Sequence, residues 1–491
     1  MNNLESSDIA IKTNFNFTKY LENVLDAETI KYTGRVAAVK GLEVISEGPR
    51  SEIGEICTIK LADGSFLQAE VTGLNGKMVQ LAPFGATKGI GVGCEVVASG
   101  QTLLVPVGKN LLGRMIDASG RPCDDKGELI SEMYYPAVNE PPSPNDRTDI
   151  NRRIVTGVRA IDSLLTVGKG QRLGIFAGSG VGKSTLLSII ARNTNADINV
   201  IGLIGERGRE VLDFVKRDLG VEGMKRSVIV VATSDEPSIC RLRAAQVCTS
   251  IAEYFRDQGF DVMLMMDSVT RFAHAQRELG LAAGEPPAQK GYPPSVFDMI
   301  PKLLERSGTN KKGTITAFYT VLVDGDDMNE PITDKVRGTL DGHIVLSRRL
   351  AQAYHYPAID ILNSISRLSK RVCGAQTRKA VGQLRTWMSV YEENETMITA
   401  GIYQKGSSPS VDIAIDKHEQ IEDFLKQEEY EPCPIEETLQ KLSELTGIEI
   451  PENEYVENPA VSIPTTAQIV DSSKSGDNSE QNSLEANTLT N

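Results

Sequence analysis

At 491 residues, 40% of them hydrophobic, the chain is too long for one compact domain and has material for two to four cores. Its 52 Lys and Arg against 66 Asp and Glu leave a net charge of −14, which argues against non-specific nucleic-acid binding, where phosphate neutralisation dominates. No run approaches the roughly 20 apolar residues of a membrane span, no basic stretch followed by an apolar one marks a signal peptide, and seven scattered Cys without a CxxC pair fit reduced thiols of a cytosolic protein.

Residues 1–27 are polar with apolar positions at Phe15, Phe17, Tyr20, Leu21, Val24 and Leu25. Tyr20, Leu21, Val24 and Leu25 share one helical face, so this segment reads as an amphipathic tail that docks a partner. Residues 28–104 change character. Short apolar or alternating runs at 34–39, 55–59, 67–71, 78–81 and 94–97 are separated by Gly-rich turns, the spacing of a small β-barrel. Residues 105–375 alternate buried strands with helices. Strands are predicted at Arg172–Ala177, Val200–Gly205, Val228–Ala232, Val262–Asp267 and Thr314–Val323. That alternation predicts an α/β fold with a parallel sheet covered on both faces. Residues 376–450 lose the strand pattern and read as helical. Residues 451–491 are rich in Ser, Asn and Thr and predict a disordered tail.

Chemistry concentrates in the α/β region. Ala177-Gly178-Ser179-Gly180-Val181-Gly182-Lys183-Ser184 lies between a buried strand and a helix that opens with Thr185. This is a P-loop. Its glycines let consecutive backbone N–H groups turn around a phosphate, and the helix N-terminus adds partial positive charge. Gly178, Ser179, Gly180, Val181, Gly182, Lys183, Ser184 and Thr185 are therefore the expected nucleotide-binding residues. Lys183 would reach the β- and γ-phosphates and Ser184 would ligate Mg²⁺. Ala177 stands where the generic motif has Gly. The apolar strand Val262–Met266 ends in Asp267, the Walker-B arrangement for holding Mg²⁺ through water. Gly205-Glu206-Arg207-Gly208-Arg209-Glu210 follows another strand. Glu206 there is the candidate carboxylate that polarises the attacking water, and Glu210 would help hold the water shell of Mg²⁺. Ser364-Ile365-Ser366-Arg367 offers an arginine finger, with a surface salt bridge as the plainer role. Tyr356 offers either an adenine platform or a core tyrosine.

Four stretches carry a resemblance: Thr156–Asp162, Phe176–Ser184, Gly205–Glu210 and Asp267–Glu278, joined by Gly284–Pro287 and Gly291–Phe297. Together they resemble the rotary ATP synthase superfamily. The Ala-Gly-Ser-Gly loop, Leu303–Arg306 and Ser364–Arg367 are most similar to its type III protein export branch, the flagellum-specific ATP synthases and their injectisome relatives. The likeness covers roughly residues 30–430. It implies an N-terminal β-barrel, a RecA-like P-loop core and a helical C-terminal domain. It also implies a homohexamer with ATP and Mg²⁺ at subunit interfaces. By matching positions, Lys183 and Ser184 bind phosphate and metal, Glu206 is catalytic, Asp267 is Walker B, Arg367 acts in trans, Tyr356 stacks on adenine and Arg207 senses the γ-phosphate.

The resemblance further implies partners. A stator or regulator protein would bind the N-terminal segment, and a central stalk protein would enter the ring. Export chaperones and substrates would meet the C-terminal helices, where Ile421, Phe424 and Leu425 form an apolar patch suited either to such contacts or to internal packing. An export gate and peripheral association with the cytoplasmic face of the inner membrane complete the expected setting. Within the branch, Gly34–Val36 through Glu47–Pro49 look flagellar. Three other readings share motifs: a catalytic subunit of a rotary ATP synthase, a Rho-type RNA translocase, and a nucleotide-binding subunit without hydrolysis. The acidic balance and the lack of an aromatic, basic barrel surface count against the second, and Glu206 counts against the third.

Overall fold

The computed structural model describes residues 31–131 and 133–456, which divide into two compact units between Thr102 and Leu103. The predicted amphipathic tail at 1–27 lies outside the described residues.

The first unit is a closed six-stranded antiparallel barrel. Its strands are β1 (Thr33–Lys40), β2 (Glu43–Glu47), β3 (Glu55–Lys60), β4 (Phe66–Asn75), β5 (Met78–Pro83) and β6 (Glu95–Thr102), in the order β1-β2-β5-β4-β3-β6. Alternation points Val36, Val44, Ile59, Val71, Leu81 and Val96 inward to fill the lumen. The sequence pattern contains five of these strands and conceals β2. Its inward positions are Val44 and Ser46, both fully buried, so a polar residue interrupts the apolar period that would reveal it.

The second unit is built on a nine-stranded, mainly parallel sheet. Its strands in chain order are β7 (Met115–Ile116), β8 (Arg172–Ala177), β9 (Ile198–Glu206), β10 (Ser227–Thr233), β11 (Asp261–Asp267), β12 (Thr314–Leu322), β13 (Gly342–Leu346) and β14 (Ile359–Ser366). They run in the order β14-β13-β8-β12-β11-β9-β10-β7, with the short strand Gly308–Thr309 hairpinned on β12. The central strands are buried on both faces, which is why they read as continuous apolar runs. Parallel pairing holds from β13 to β7. Beyond β13 the expectation of a purely parallel sheet fails, because β14 returns antiparallel as an edge strand.

Three helices follow: α1 (Ala375–Thr399), α2 (Pro409–Leu425) and α3 (Ile435–Thr446). The apolar stripe of α3, Leu439, Leu442 and Leu445, packs into the same core as the sheet. Ile421, Phe424 and Leu425 join that core at 2%, 7% and 3% exposure. The reading of these three as a partner-facing patch is therefore corrected: an amphipathic face looks the same in sequence whether it meets its own core or another protein. The disordered tail does not begin at 451. Pro451–Tyr455 form a turn packed against the domain, with Glu454 only 7% exposed. Residues 457–491 lie outside the described residues. Among the described residues, no helix is long and apolar enough to cross a membrane.

Candidate active site

The loop Gly178–Gly182 leaves the end of β8 and feeds the helix Lys183–Asn193. Gly180 (φ 78°) and Gly182 (φ 93°) take left-handed conformations open to glycine, which turns the backbone into a concave nest at the helix N-terminus. Ala177 needs no such freedom. It is the last residue of β8, paired with Leu322 and Leu346 and 1% exposed, so the departure from Gly falls on an ordinary strand residue. Ser179, Ser184 and Thr185 are exposed at the mouth of the nest.

Parallel pairing brings three strand ends to this mouth. Lys183 Nζ lies 2.5 Å from Asp267 Oδ1 at the end of β11 and 3.8 Å from Glu206 Oε1 at the end of β9. Asp267 is 3% exposed, and its Oδ1 also accepts a hydrogen bond from Thr320 Oγ1 of β12 at 2.8 Å. Glu206 owes its aim to a β-bulge: the β9–β10 register slips between Ile204 and Glu206, with Gly205 at φ 72°. A Cβ on Gly205 would come within 2.9–3.1 Å of the Arg271 side chain, so that position also demands the missing side chain.

The Glu206 carboxyl is pushed up to about 7. Burial is the main cause, followed by the charge on Asp267, against the pull of Lys183; Glu210 adds a hydrogen bond and a like charge. A carboxylate poised near neutrality is suited to general base work. Glu210 also pairs with Arg207, whose side chain is 81% exposed, in an i,i+3 contact at 3.3 Å. Arg207 thus points to solvent and its own helix.

Tyr356 lies against the P-loop: a Cβ on Gly182 would meet its ring at 3.6–3.7 Å. The ring is half-exposed and packs edge-on against Tyr354. Its backbone is tethered from the helical domain, since Gln427 N–H donates to the Tyr356 carbonyl at 2.9 Å. The Gln427 side chain in turn accepts from Arg159 N–H and donates to the Gly157 carbonyl. Gly178 faces Arg348 and Asp326, which pair with each other at 3.7 Å. Thr320, Gln427, Arg348 and Asp326 escaped sequence reasoning. Only Thr320 carries a signal, as a fully buried hydroxyl amid apolar neighbours on a central strand.

Arg367 is not part of this cluster. It follows β14, which runs antiparallel to its neighbour, and so emerges at the other end of the sheet. Its N–H donates to the Asp341 carbonyl, and the Asp341 carboxylate holds Arg172 at the start of β8. The P-loop leaves the far end of β8, about 17 Å away at 3.3 Å per residue. Arg367 is exposed, and it makes no ion pair among the described residues.

Three family descriptions match the chain in order. They are the ATP synthase alpha/beta family β-barrel domain over residues 36–100, the nucleotide-binding domain of that family over 157–366, and the T3SS EscN ATPase C-terminal domain over 373–444. The chain is 55% identical over 433 residues to the flagellum-specific ATP synthase of Treponema pallidum (strain Nichols), covering 88% of this chain and 97% of that one. It is 47% identical over 435 residues to the type 3 secretion system ATPase of Xanthomonas euvesicatoria, covering 87% and 98%. Among solved structures it is similar to the assembled ATPase EscN in complex with its central stalk EscO from enteropathogenic E. coli, with a TM-score of 0.78 and 43% identity over 84% of this chain and 100% of that one.

Proposed function

The chain belongs to the ATPases of type III protein export within the ATP synthase alpha/beta family, and from that membership we propose that it hydrolyses ATP to energise protein export as a ring of six identical subunits. The observation that carries the mechanism is the convergence of Lys183, Asp267 and Glu206 at one strand edge while Arg367 stands at the opposite edge of the same sheet. Identical subunits packed head to tail bring one subunit's finger to its neighbour's P-loop and close into a ring.

The Gly178–Gly182 nest and Lys183 bind the phosphates, and phosphate oxygens compete with Asp267 and Glu206 for the Lys183 ammonium. Tyr356 stacks on the adenine ring beside Gly182. Glu206 orients the attacking water and takes its proton, a role its raised carboxyl supports. Arg367 of the adjoining subunit stabilises the charge that develops on the transferring phosphoryl group. Arg207 and Glu210 are paired and exposed here; on formation of the interface Arg207 would engage the γ-phosphate and Glu210 would help hold the water shell of Mg²⁺.

The donors at the mouth fit Mg²⁺: a serine hydroxyl at the helix start and the Asp267 carboxylate, all hard oxygens, with Glu206 and Glu210 adjacent. Ser184 and Asp267 would hold it, directly and through water, and when bound with ATP it neutralises charge on the β- and γ-phosphates.

The higher identity to a flagellum-specific relative than to a type 3 secretion relative favours flagellar export. Because the EscN structure contains its central stalk EscO, we extend a stalk partner to this chain. A stator protein on residues 1–27, an export gate, chaperones and substrates on the C-terminal helices, and attachment to the membrane face through the export apparatus complete the proposal. The purified full-length chain is expected to assemble alone and to release phosphate from ATP with Mg²⁺, as read by light scattering and a phosphate assay. Activity that requires a non-identical subunit would overturn the homomeric ring.

A further inference from the structure

Arg367 stands in a cavity of about 550 Å³ whose lining includes Lys370, Arg378 and Arg385 and no acidic residue. Two of these arginines are already committed to backbone. Arg378 donates to the carbonyls of Lys370 and Cys373 at 2.9 Å, and Arg385 reaches those of Leu362 and Ser364 at 3.4 and 3.3 Å. The four carbonyls lie on either side of Arg367 in the chain. Both arginines sit on α1. This helix therefore braces the strand that delivers the finger and the turn that follows it.

A brace is only as fixed as its own end. The N-cap position of α1 is Gly374, which has no side chain to satisfy the first helical N–H groups. The cap arrives from 78 residues beyond Gln376. Glu454 Oε1 accepts from Gln376 N–H at 3.0 Å, and its Oε2 accepts from Thr377 N–H at 2.8 Å and Thr377 Oγ1 at 2.7 Å. These are the donors a capping side chain serves, and a carboxylate there also suits the helix dipole. Glu454 is itself tied down, because its carbonyl accepts from the fully buried Arg153 at 3.2 Å. Burial pushes its carboxyl upward, but the bonds from Thr377 and Gln376 and the charge on Arg153 outweigh this and leave it below the usual range. The fit is close enough to exclude any side chain at 374, where a Cβ would lie 1.9 Å from Glu454 Cδ.

We propose that Glu454 is a positioning residue for Arg367: by capping α1 it fixes the brace that aims the finger at the next subunit's nucleotide. The inference rests on the reading of Arg367 as a group acting in trans. It assigns a role to the turn after α3, and it places that turn in control of a reaction on another chain.

Glu454→Gln, which keeps the bulk and weakens the acceptors, and Gly374→Ala, which displaces the carboxylate, are the variants to make in the full-length chain. Each is expected to lower kcat roughly 10- to 100-fold, as small misplacements of a catalytic group do, with KM for ATP within about twofold because the P-loop of the same subunit is untouched. The decisive measurement is complementation in mixed rings with Lys183→Ala subunits, which lack a working P-loop but keep an intact finger. Random assembly of equal amounts makes about a quarter of the interfaces intact, so ATPase activity should rise above that of either parent. A kcat within twofold of the unsubstituted protein would overturn the proposal. So would failure to recover in verified mixed rings in which Arg367→Ala is recovered, since a defect of general folding belongs to the subunit and not to its neighbour. If Arg367→Ala is not recovered either, the trans reading falls and this inference falls with it.

Discussion

The two ends of the central sheet are built on opposite principles. At the P-loop end opposite charges are paired: Lys183 sits between Asp267 and Glu206, and Asp267 is held again by Thr320. At the Arg367 end positive charge gathers without a carboxylate in the cavity wall, and what fixes it is backbone carbonyls. Neutralised charge in a buried site is ready for a small ligand that exchanges partners. Concentrated like charge at a surface gains stabilisation only when an anion arrives from outside. On the proposed reading one subunit carries two unlike halves of a site, and that asymmetry is what a head-to-tail ring requires.

The sharpest way to break this comparison is to remove the exposed half. Arg367→Ala is expected to lower kcat by roughly 10³- to 10⁵-fold, the range for a finger on a transferring phosphoryl group. Nucleotide affinity should hold, because the binding groups belong to the other edge. A fluorescent ATP analogue measures the affinity and phosphate release the rate. If affinity collapses with the rate, Arg367 is part of the binding site of its own chain and the two-edge picture is wrong.

Removing a charge from the paired end comes next. Glu206→Gln preserves size and hydrogen bonding but cannot take a proton. The expected loss is roughly 10²- to 10⁴-fold in kcat, with ATP binding kept. Turnover near the normal rate would remove Glu206 from the reaction and leave Glu210 as the adjacent carboxylate.

Much of the paired end was legible in the sequence because its groups sit at junctions that local patterns mark. The P-loop joins a strand to a helix. Asp267 ends an apolar run, and Glu206 follows another. The α/β class followed from the same alternation. What stayed hidden depends on contacts between distant segments. Thr320 matters because β12 lies beside β11, which no local pattern states. Gln427 reaches Tyr356 from the segment after α2, 71 residues later in the chain. Glu454 fell in a stretch whose polar composition suggested disorder, although its carboxylate is the cap of α1. The apolar faces of α2 and α3 were visible, but only the packed core shows that they turn inward.

Thr320→Val tests whether the paired end is set by its supporting bonds. Valine keeps the shape and removes the hydroxyl that donates to Asp267. A bond to a charged group contributes about 1.5–3 kcal/mol, so a loss of roughly tenfold in kcat is expected, together with a higher Mg²⁺ requirement. A magnesium titration of ATPase activity reads both. If neither moves, Lys183 alone suffices to place Asp267.

The smallest expected effect separates the causes behind the raised Glu206 carboxyl. With that group at about 7, its basic form is lost as pH falls, so kcat/KM for ATP should drop on the acid side of neutrality. Burial is the leading cause of the shift and survives mutation of a neighbour. Glu210 contributes a hydrogen bond and a like charge, both of which raise the value. Glu210→Gln removes the charge and is expected to move the acid limb of the profile to lower pH by less than about one unit, extending activity into mild acid. The Arg367 end has no group in this balance, so Arg367→Ala should lower the whole profile without displacing its acid limb. A limb that moves with Arg367 and stays with Glu210 would mean that the protonation being read belongs to the interface and not to Glu206.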